Sequence, residues 1–159
     1  MFTQTDYSGT RADQYAMLGK QLDALLEGEK NTIANLSNAS ALLNQFLERI
    51  NWVGFYLMED GELVLGPFQG LPACVRIKVG RGVCGTAVSE KKTMLVEDVH
   101  AFPGHIACDA ASQSEIVVPL IKDGTVIGVL DIDSPELSRF TTDDQAGLEH
   151  FAEVLLKHL

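Results

Sequence analysis

Three cysteines are the side chains of this sequence best suited to redox chemistry. Cys74 and Cys108 lie in segments with proline and glycine, which predict loops, and Cys84 follows a glycine-rich turn at residues 80–82. This turn precedes a predicted short helix, and a helix N-terminus can lower the pKa of a thiol. The odd number and the spacing of the cysteines predict neither a disulfide framework nor a C-x-x-C motif. Reactive thiols and buried, inert thiols both remain open at this point.

Residues close to Cys108 bear on its reactivity. Asp109 disfavours a thiolate at Cys108, whereas a protonated His105 favours one. His105 and Cys108 also form an H-x-x-C pair that could supply two metal ligands. The other two ligands would have to come from scattered positions, so we predict no metal site.

Two aspartates, Asp131 and Asp133, share one face at the end of a predicted strand at residues 125–133, and Glu115 on the paired strand is expected to face the same side. Buried carboxylates are costly without a partner, and three together repel each other unless a metal ion, an arginine or a ligand ammonium group lies among them. The alternative is that both aspartates end the strand in solvent. Strict alternation puts Thr125, Ile127 and Val129 on the face of the aspartates, and Val126, Gly128, Leu130 and Ile132 on the other.

Trp52 and Tyr56 are four residues apart on one face of another predicted strand. Aromatic residues on a sheet usually belong to the core. The alternative is an apolar wall that accepts a small uncharged group such as a methyl thioether.

Helices are predicted at both ends of the chain. An apolar stripe predicts a first helix ended by Gly28, a second helix ends near Ile50, and Thr142 and Gln145 fit a capping box at the start of the last helix. Such stripes indicate core or dimer contacts, so a homodimer is consistent with them. The stripes consist of Tyr15, Leu18, Leu22, Leu25 and Leu26, of Leu36, Leu43, Phe46 and Leu47, and of Leu148, Phe151, Leu155 and Leu159.

Between these helices the apolar period changes to two. Asp60-Gly61 and Asp123-Gly124 are hairpin signals that join strands in pairs. Strands are predicted at 51–57, 62–65, 75–79, 94–96, 115–121 and 125–133, with a helix at 83–89 and a loop at 100–112 that holds about one helical turn.

This order of elements predicts a single α+β domain over residues 1–159 with a mixed or antiparallel sheet. The terminal helices should cover one face of the sheet. The other face is then free to hold a ligand pocket under the loop at residues 101–112.

Composition and charge narrow the partners. The 159 residues include 12 Lys and Arg against 22 Asp and Glu, a formal charge of −10. Nucleic acids and anionic membranes are bound by surplus cations, so we expect neither as a partner. No apolar run reaches the length of a membrane span, and the N-terminal residues do not resemble a secretion signal. We therefore expect a cytoplasmic protein.

Four segments together resemble the free methionine-(R)-sulfoxide reductases, which are stand-alone enzymes with a GAF fold. The segments are NWVGFY at 51–56, GPFQG at 66–70, GRGVCG at 80–85 and VLDIDS at 129–134. The resemblance covers nearly the whole chain, and the three cysteines with the D-x-D motif distinguish this family from GAF domains in general.

The resemblance implies a role for each candidate residue. Cys108 matches the cysteine that attacks the sulfoxide, Cys74 matches the one that resolves the sulfenic acid, and Cys84 matches a third that can enter a disulfide with Cys108. It further implies thioredoxin as reductant and no cofactor. The positions of Glu115, Asp131 and Asp133 match the acidic substrate-binding residues, and Trp52 and Tyr56 match the aromatic pocket for the methyl end.

Elementary chemistry is consistent with this assignment. A thiolate attacks the sulfur of a sulfoxide when an acid protonates the oxygen, and clustered carboxylates raise one another's pKa enough to supply that proton. A free amino acid carries an ammonium group for the acids, and a methionine inside a peptide does not. The alternatives are a non-catalytic GAF module that binds a small ligand or senses oxidants, and a metal-dependent hydrolase that uses the acidic cluster.

Overall fold

The computed structural model describes residues 5–106 and 108–159 and shows an α+β fold. One sheet of six strands runs antiparallel throughout, in the order β3-β2-β1-β6-β5-β4. The helices are α1 (Arg11–Leu26), α2 (Thr32–Phe46), α3 (Gly82–Glu90) and α4 (Thr142–Leu156), and the strands are β1 (Trp52–Glu59), β2 (Glu62–Gly70), β3 (Arg76–Lys78), β4 (Met94–Val96), β5 (Ser114–Lys122) and β6 (Thr125–Ser134).

Both predicted hairpins are confirmed. Asp60-Gly61 joins β1 to β2 and Asp123-Gly124 joins β5 to β6, and all four residues have positive φ, between 52° and 84°. Two positive φ angles define the type I′ turn, whose twist matches that of the flanking strands. The turn residues therefore set the register that aligns β5 with β6, which is the register that matters for the acidic residues.

One face of the sheet packs against α1, α2 and α4, as predicted. Val53 and Phe55 of β1 and Leu130 of β6 are fully buried there against the helical stripes. The opposite face carries a second apolar cluster, which includes Trp52, Tyr56 and residues of α3. One face of the sheet therefore forms the main core with the terminal helices. The other face lies beneath α3 and the loop between β4 and β5.

A β-bulge at Ile127 makes the predicted alternation of β6 wrong at its beginning. Gly128 pairs with Leu120 and Val126 pairs with Ile121, so Ile127 is an extra residue in the ladder. Val126 consequently lies in the cluster on the face of the aspartates, and Ile127 packs against the helical core. Strict alternation resumes after the bulge, so the predicted positions of Asp131 and Asp133 are unaffected.

The strand β2 is longer than predicted because a second bulge tolerates a proline. Phe68 pairs with Gly54 and Leu65 with Tyr56, which leaves one extra residue in β2 at residues 66–67. Pro67 has no N–H to donate to a ladder, and bulges are where a sheet accepts such a residue.

Two helix boundaries also differ. Helix α2 ends at Phe46 rather than near Ile50, because Leu47 is already extended, with ψ of 125°, and reaches the core from that conformation. The cap of α4 is Thr141 with Asp144, one residue before the predicted pair Thr142 and Gln145. Within the described part of the chain, no helix combines the length and the apolar character that crossing a bilayer requires.

Candidate active site

A small pocket opens between the N-terminal end of α3, the loop between β4 and β5, and the ends of β1, β5 and β6. Its cavity volume is about 50 Å³. The pocket lies on the sheet face opposite the terminal helices, as predicted. Its lining includes seven of the eight predicted site residues: Trp52, Tyr56, Cys84, Cys108, Glu115, Asp131 and Asp133.

The eighth, Cys74, joins the pocket through a disulfide to Cys108. The two Cα atoms are 5.7 Å apart, and the bond connects the segment after β2 to the loop before β5 across 34 residues of sequence. Cys108 is exposed and Cys74 is half-buried, so the bridge lies at the mouth of the pocket. The structure therefore represents an oxidised state in which these two sulfurs are in direct reach of each other.

The three predicted carboxylates converge inside the pocket. Glu115 of β5 pairs directly with Asp133 of β6, and Asp131 lies two residues before Asp133 on the same face. Glu115 and Asp131 are only 7% and 6% exposed, which rules out the alternative that Asp131 ends the strand in solvent. Among the described residues, no lysine or arginine forms an ion pair with any of the three, although the exposed Arg81 lines the same pocket.

Burial and mutual repulsion favour the protonated forms of these acids. Burial raises the pKa of Glu115 well above its ordinary value, and the charges of Asp131 and Asp133 raise it further. The pKa of Asp133 is raised in the same way by burial and by Asp131. At least part of the cluster can thus hold a proton at a pH where an ordinary carboxyl has lost it.

Asp131 differs from its two neighbours. Burial raises its pKa too, but hydrogen bonding with Glu115 and with the Cys84 thiol lowers it in part. Its Oδ1 atom is buried and has no hydrogen-bond partner among the described residues. A buried carboxylate oxygen without a donor is costly, so this atom is the most evident acceptor for a cationic group of a ligand.

Cys84 is a free, buried thiol. Of the two alternatives left open by the sequence, the structure favours the buried thiol, because burial raises the pKa of Cys84 well above its ordinary value and the charges of Asp131 and Glu115 add to this effect. Burial of the thiol and the nearby acids together outweigh the partial charge of a helix of nine residues.

The aromatic pair supports the pocket and the Cys74 segment together. Trp52 and Tyr56 stack with ring centroids 5.9 Å apart, and Trp52 also stacks on Phe68 at 5.1 Å. The indole Nε1 of Trp52 donates to the Leu71 carbonyl at 3.2 Å, and the Tyr56 hydroxyl donates to the Cys74 carbonyl at 2.9 Å. The two rings therefore form an apolar wall of the pocket, and their hydrogen bonds hold the segment that carries Cys74 in place.

Asn51 is a residue of this site that the sequence analysis missed. Its Nδ2 atom donates to Asp109 Oδ2 at 2.9 Å and to Ser112 Oγ at 3.1 Å, both on the loop that carries Cys108. Ser112 and Asp109 line the pocket. The signal in the sequence was weak, because an asparagine before a strand is ordinary and its partners lie about 60 residues away.

Two groups of residues offer donor atoms of the kinds that bind metals. Donor atoms of Cys84, Glu115 and Asp131 all lie within 4.8 Å of one another, a set that a divalent metal such as zinc accepts. The H-x-x-C pair does not offer a thiolate ligand in this oxidised state, because the sulfur of Cys108 is bonded to that of Cys74. Burial and the neighbouring His100 lower the pKa of His105, so it is a weaker source of positive charge for Cys108 than the sequence suggested.

Comparison with known proteins gives the family. A GAF domain profile matches residues 22–155. The free methionine-R-sulfoxide reductase of Escherichia coli strain K12 is 56% identical over 149 residues, which cover 94% of this chain and 90% of that protein. The chain belongs to the free methionine-R-sulfoxide reductase family.

Solved structures support the same assignment. The family member from Neisseria meningitidis, in complex with its substrate, superposes with a TM-score of 0.94 at 44% identity and covers 99% of this chain and 95% of its own. The structure of fRMsr of Staphylococcus aureus in complex with substrate has a TM-score of 0.88 at 57% identity, with coverage of 98% and 99%. The resemblance seen in the sequence segments, and the GAF fold it implied, are confirmed.

Proposed function

We propose that this protein reduces free L-methionine-(R)-sulfoxide to methionine through a cysteine sulfenic acid and an intramolecular disulfide. The observation that carries the proposal is the Cys74–Cys108 disulfide at the mouth of a pocket in which three carboxylates converge. The identity to the Escherichia coli reductase, and the substrate complexes of the Neisseria and Staphylococcus proteins, support the choice of substrate.

The acidic cluster binds the ammonium group of the substrate in this proposal. Asp131 Oδ1 has no donor among the described residues, and an ammonium group offers three. In a buried site, pairing of this charge stabilises the complex far more than it does at a surface. A methionine sulfoxide within a peptide lacks the ammonium group and would leave the carboxylates unpaired, which explains a preference for the free amino acid.

The aromatic wall orients the other end of the substrate. Trp52 and Tyr56 present apolar surface to the methyl group, while the carboxylates hold the ammonium group. These two contacts direct the sulfoxide sulfur towards the loop that carries Cys108. Arg81, which lines the same pocket, offers positive charge for the substrate carboxylate.

The chemistry begins with Cys108 as the nucleophile. Its thiolate attacks the sulfoxide sulfur while a carboxyl group with a raised pKa protonates the oxygen; Glu115 and Asp133 have the larger shifts. The S–O bond of the substrate then breaks as the protonated oxygen passes to the Cys108 sulfur, so methionine leaves and Cys108 becomes a sulfenic acid. The Cys74 thiol then condenses with this sulfenic acid, releases water and forms the disulfide that the structure contains.

A dithiol reductant, thioredoxin in our proposal, returns both cysteines to thiols by exchange. The cycle needs no cofactor, and it requires a compartment that contains such a reductant, which is the cytoplasm. Cys84 remains the third thiol of the site, a reserve partner for Cys108. We further propose that residues 1–159 act as a single domain and that the protein forms a homodimer.

Two cysteine variants test the chemistry. Cys108→Ser should abolish methionine formation, whereas Cys74→Ser, first reduced with dithiothreitol, should release about one methionine per enzyme and then stall with thioredoxin. The measurement is methionine released from racemic free sulfoxide, with chiral separation of the remaining epimers. Most of the activity surviving in Cys108→Ser, or normal steady-state turnover in Cys74→Ser with thioredoxin, would refute the assignment.

The same assay separates the alternatives. A non-catalytic GAF module that binds a small ligand or senses oxidants leaves both epimers in place even with dithiothreitol. A metal-dependent hydrolase, for which Cys84, Glu115 and Asp131 would be the ligands, loses its activity when a chelator is added. We expect consumption of the R epimer alone, with no effect of the chelator.

A further inference from the structure

The segments that carry the disulfide have a charge unlike that of the rest of the chain. Residues 71–82 contain Arg76, Lys78 and Arg81 and no acidic residue, and residues 99–108 contain two histidines and no acidic residue. The chain as a whole carries 22 acidic residues and a formal charge of −10. The two segments that carry the bridge are therefore neutral to positive, although Asp98 and Asp109 flank the second of them and the acids of the pocket lie beneath the bridge.

This region is also unusually apolar at its surface. Seven large apolar side chains are exposed among the described residues, and Leu71, Val75 and Ile106 each lie within three residues of a disulfide cysteine. Leu71 is 63% exposed and Val75 is 59% exposed. Exposed apolar side chains that gather at one place, with a charged rim, are typical of a surface that contacts another protein.

Cations lie on the rim beside these apolar residues. Arg76 and Lys78 are both exposed on β3, an edge strand, with the buried Ile77 between them. The Arg76 guanidinium contacts Glu62 at 2.9 Å, but 61% of its side chain remains exposed. A partner that covers the bridge therefore meets an apolar centre with positive charge at one side.

We propose that Leu71, Val75 and Ile106, with Arg76 and Lys78 at the rim, form the docking surface of a dithiol protein reductant whose own dithiol is surrounded by apolar and acidic side chains. We call it the bridge surface. This inference rests on the proposed function, because it assigns the partner that regenerates the thiols. It commits to a protein, since a small thiol needs no surface beyond the two sulfurs.

At this surface the partner reduces the Cys74–Cys108 bond by thiol–disulfide exchange in two steps. A thiolate of the partner attacks one sulfur of the Cys74–Cys108 bond, so that a mixed disulfide forms and the other cysteine leaves as a thiolate. The second thiol of the partner loses its proton and attacks the mixed disulfide, which releases the remaining cysteine. Two electrons pass to the enzyme cysteines, which take up two protons in total, and the partner ends as a disulfide.

Charge and apolar contact make separate contributions that two variants distinguish. Val75→Glu places a negative charge at the apolar centre, and the double variant Arg76→Glu/Lys78→Glu reverses the rim. With thioredoxin as the probe and its concentration varied, each should lower kcat/KM for the reductant about tenfold, because apposed like charges slow association. Added salt should lower kcat/KM of the wild-type protein for thioredoxin. It should also reduce the difference in kcat/KM between the wild type and the double variant.

Controls separate docking from the chemistry of the site. With dithiothreitol as reductant, all variants should turn over at the wild-type rate, since a neutral small dithiol does not need the bridge surface. Ile33→Glu and Lys20→Glu, which change an exposed apolar residue and an exposed lysine on the N-terminal helices, should leave kcat/KM for thioredoxin unchanged. An equal loss with dithiothreitol would overturn the proposal, because it would mean that the variants damage the disulfide loops.

Failure of this inference and failure of the proposed function are distinguishable. If pre-reduced wild-type protein releases about one methionine per chain but Val75→Glu and the rim variant keep their kcat/KM for thioredoxin, the bridge surface is not the docking site. If pre-reduced protein releases no methionine, the proposed function itself fails. A change of molecular mass in sedimentation on Val75→Glu would show instead that a second copy of this chain covers the surface, which would also overturn the proposal.

Discussion

Asn51 and Asp109 form a hydrogen bond of 2.9 Å that ties the start of β1 to the loop carrying Cys108. The backbone N–H of Asn51 also donates to the carbonyl of Asp133 at 2.9 Å. Asp109 is further fixed because its Oδ1 atom accepts from the N–H of Ala111 at 2.9 Å. One residue thus connects the strand end that bears an acid of the pocket to the loop that bears the proposed nucleophile.

Loss of this hydrogen bond should slow the reaction, while the carboxylates and the aromatic rings of the pocket stay in place. We expect Asn51→Ala to lower the rate of the first methionine release from reduced enzyme about tenfold, because the Cys108 loop is no longer held against the sheet. Asn51→Asp should do more harm, since it places a second carboxylate beside Asp109. Single-turnover methionine release is the measurement, with Asn38→Ala, an exposed helix position, as control. A wild-type rate in Asn51→Ala would mean that the hydrogen bond does not position the loop.

Asp131 should show opposite effects on activity and on stability. Asp131→Asn removes the charge of a carboxylate whose buried Oδ1 atom has no partner among the described residues. We therefore expect a fall in kcat/KM for the sulfoxide of about a hundredfold, the loss typical of a buried charge contact. The free energy of unfolding should rise, because repulsion from Glu115 and Asp133 is relieved. Kinetics and urea denaturation measure the two, and Asp123→Asn in the exposed turn serves as a matched control. A less stable Asp131→Asn protein would contradict the view that the cluster is strained without a cation.

The acidic cluster also predicts how stability depends on pH. The folded-state pKa values of Glu115 and Asp133 are raised, so the folded protein holds protons that the unfolded chain releases above about pH 4. Their contribution is present in full below that pH and is lost as the pH rises through the folded values. We therefore expect the free energy of unfolding of the oxidised protein to fall as the pH rises above the ordinary range of a carboxyl group.

Two variants check this source of the pH dependence. Glu115→Gln/Asp133→Asn should flatten the decline, and the exposed Asp143→Asn should leave it unchanged. Asp144 acts in the other direction, because hydrogen bonds from Thr141 and Tyr15 outweigh its burial and lower its pKa. Its contribution is lost only when the pH falls below the ordinary range of an aspartate. Urea midpoints at a series of pH values provide the measurement, and an unchanged slope in the double variant would locate the effect elsewhere.

Local signals predicted much of the fold. The Asp-Gly turns fix the two hairpins, and period-two alternation places Trp52 and Tyr56 on the pocket face. Local signals did not predict the two β-bulges, where one strand has one residue more than its partner. One bulge is at Ile127, and the other accommodates Pro67. A bulge changes the count between strands, and the count is visible only when both strands are paired.

The site shows the same division. The D-x-D motif and the paired glutamate predicted a carboxylate cluster, because strand alternation and hairpin register bring those residues together. The hydrogen bonds of Asn51 join residues about 60 positions apart, and the raised pKa of the Cys84 thiol depends on its burial and on acids from two other elements. Neither local spacing nor the type of residue contains that information.

The start of α4 gives a test of one such correction. The Thr141 hydroxyl accepts from the N–H of Asp144 at 3.2 Å, and the Asp144 carboxylate accepts from the N–H of Thr141 at 2.9 Å and from the Tyr15 hydroxyl at 2.7 Å. This arrangement caps the helix and connects it to α1. Thr142 is the first residue within the helix and has no such role.

Thr141→Ala should therefore lower the free energy of unfolding by about 1 kcal/mol, the usual effect of removing an N-cap, and Tm by about 2–4 °C. Thr142→Ala should have little effect, since alanine is a better helix former than threonine and no cap is lost. Tyr15→Phe should also lower the free energy of unfolding in the same assays, because the Asp144 carboxylate then stays buried with one hydrogen-bond donor fewer. If Thr142→Ala proved the more damaging of the two threonine variants, the cap would lie where the sequence pattern first indicated it, and α4 would begin one residue later than the structure has it.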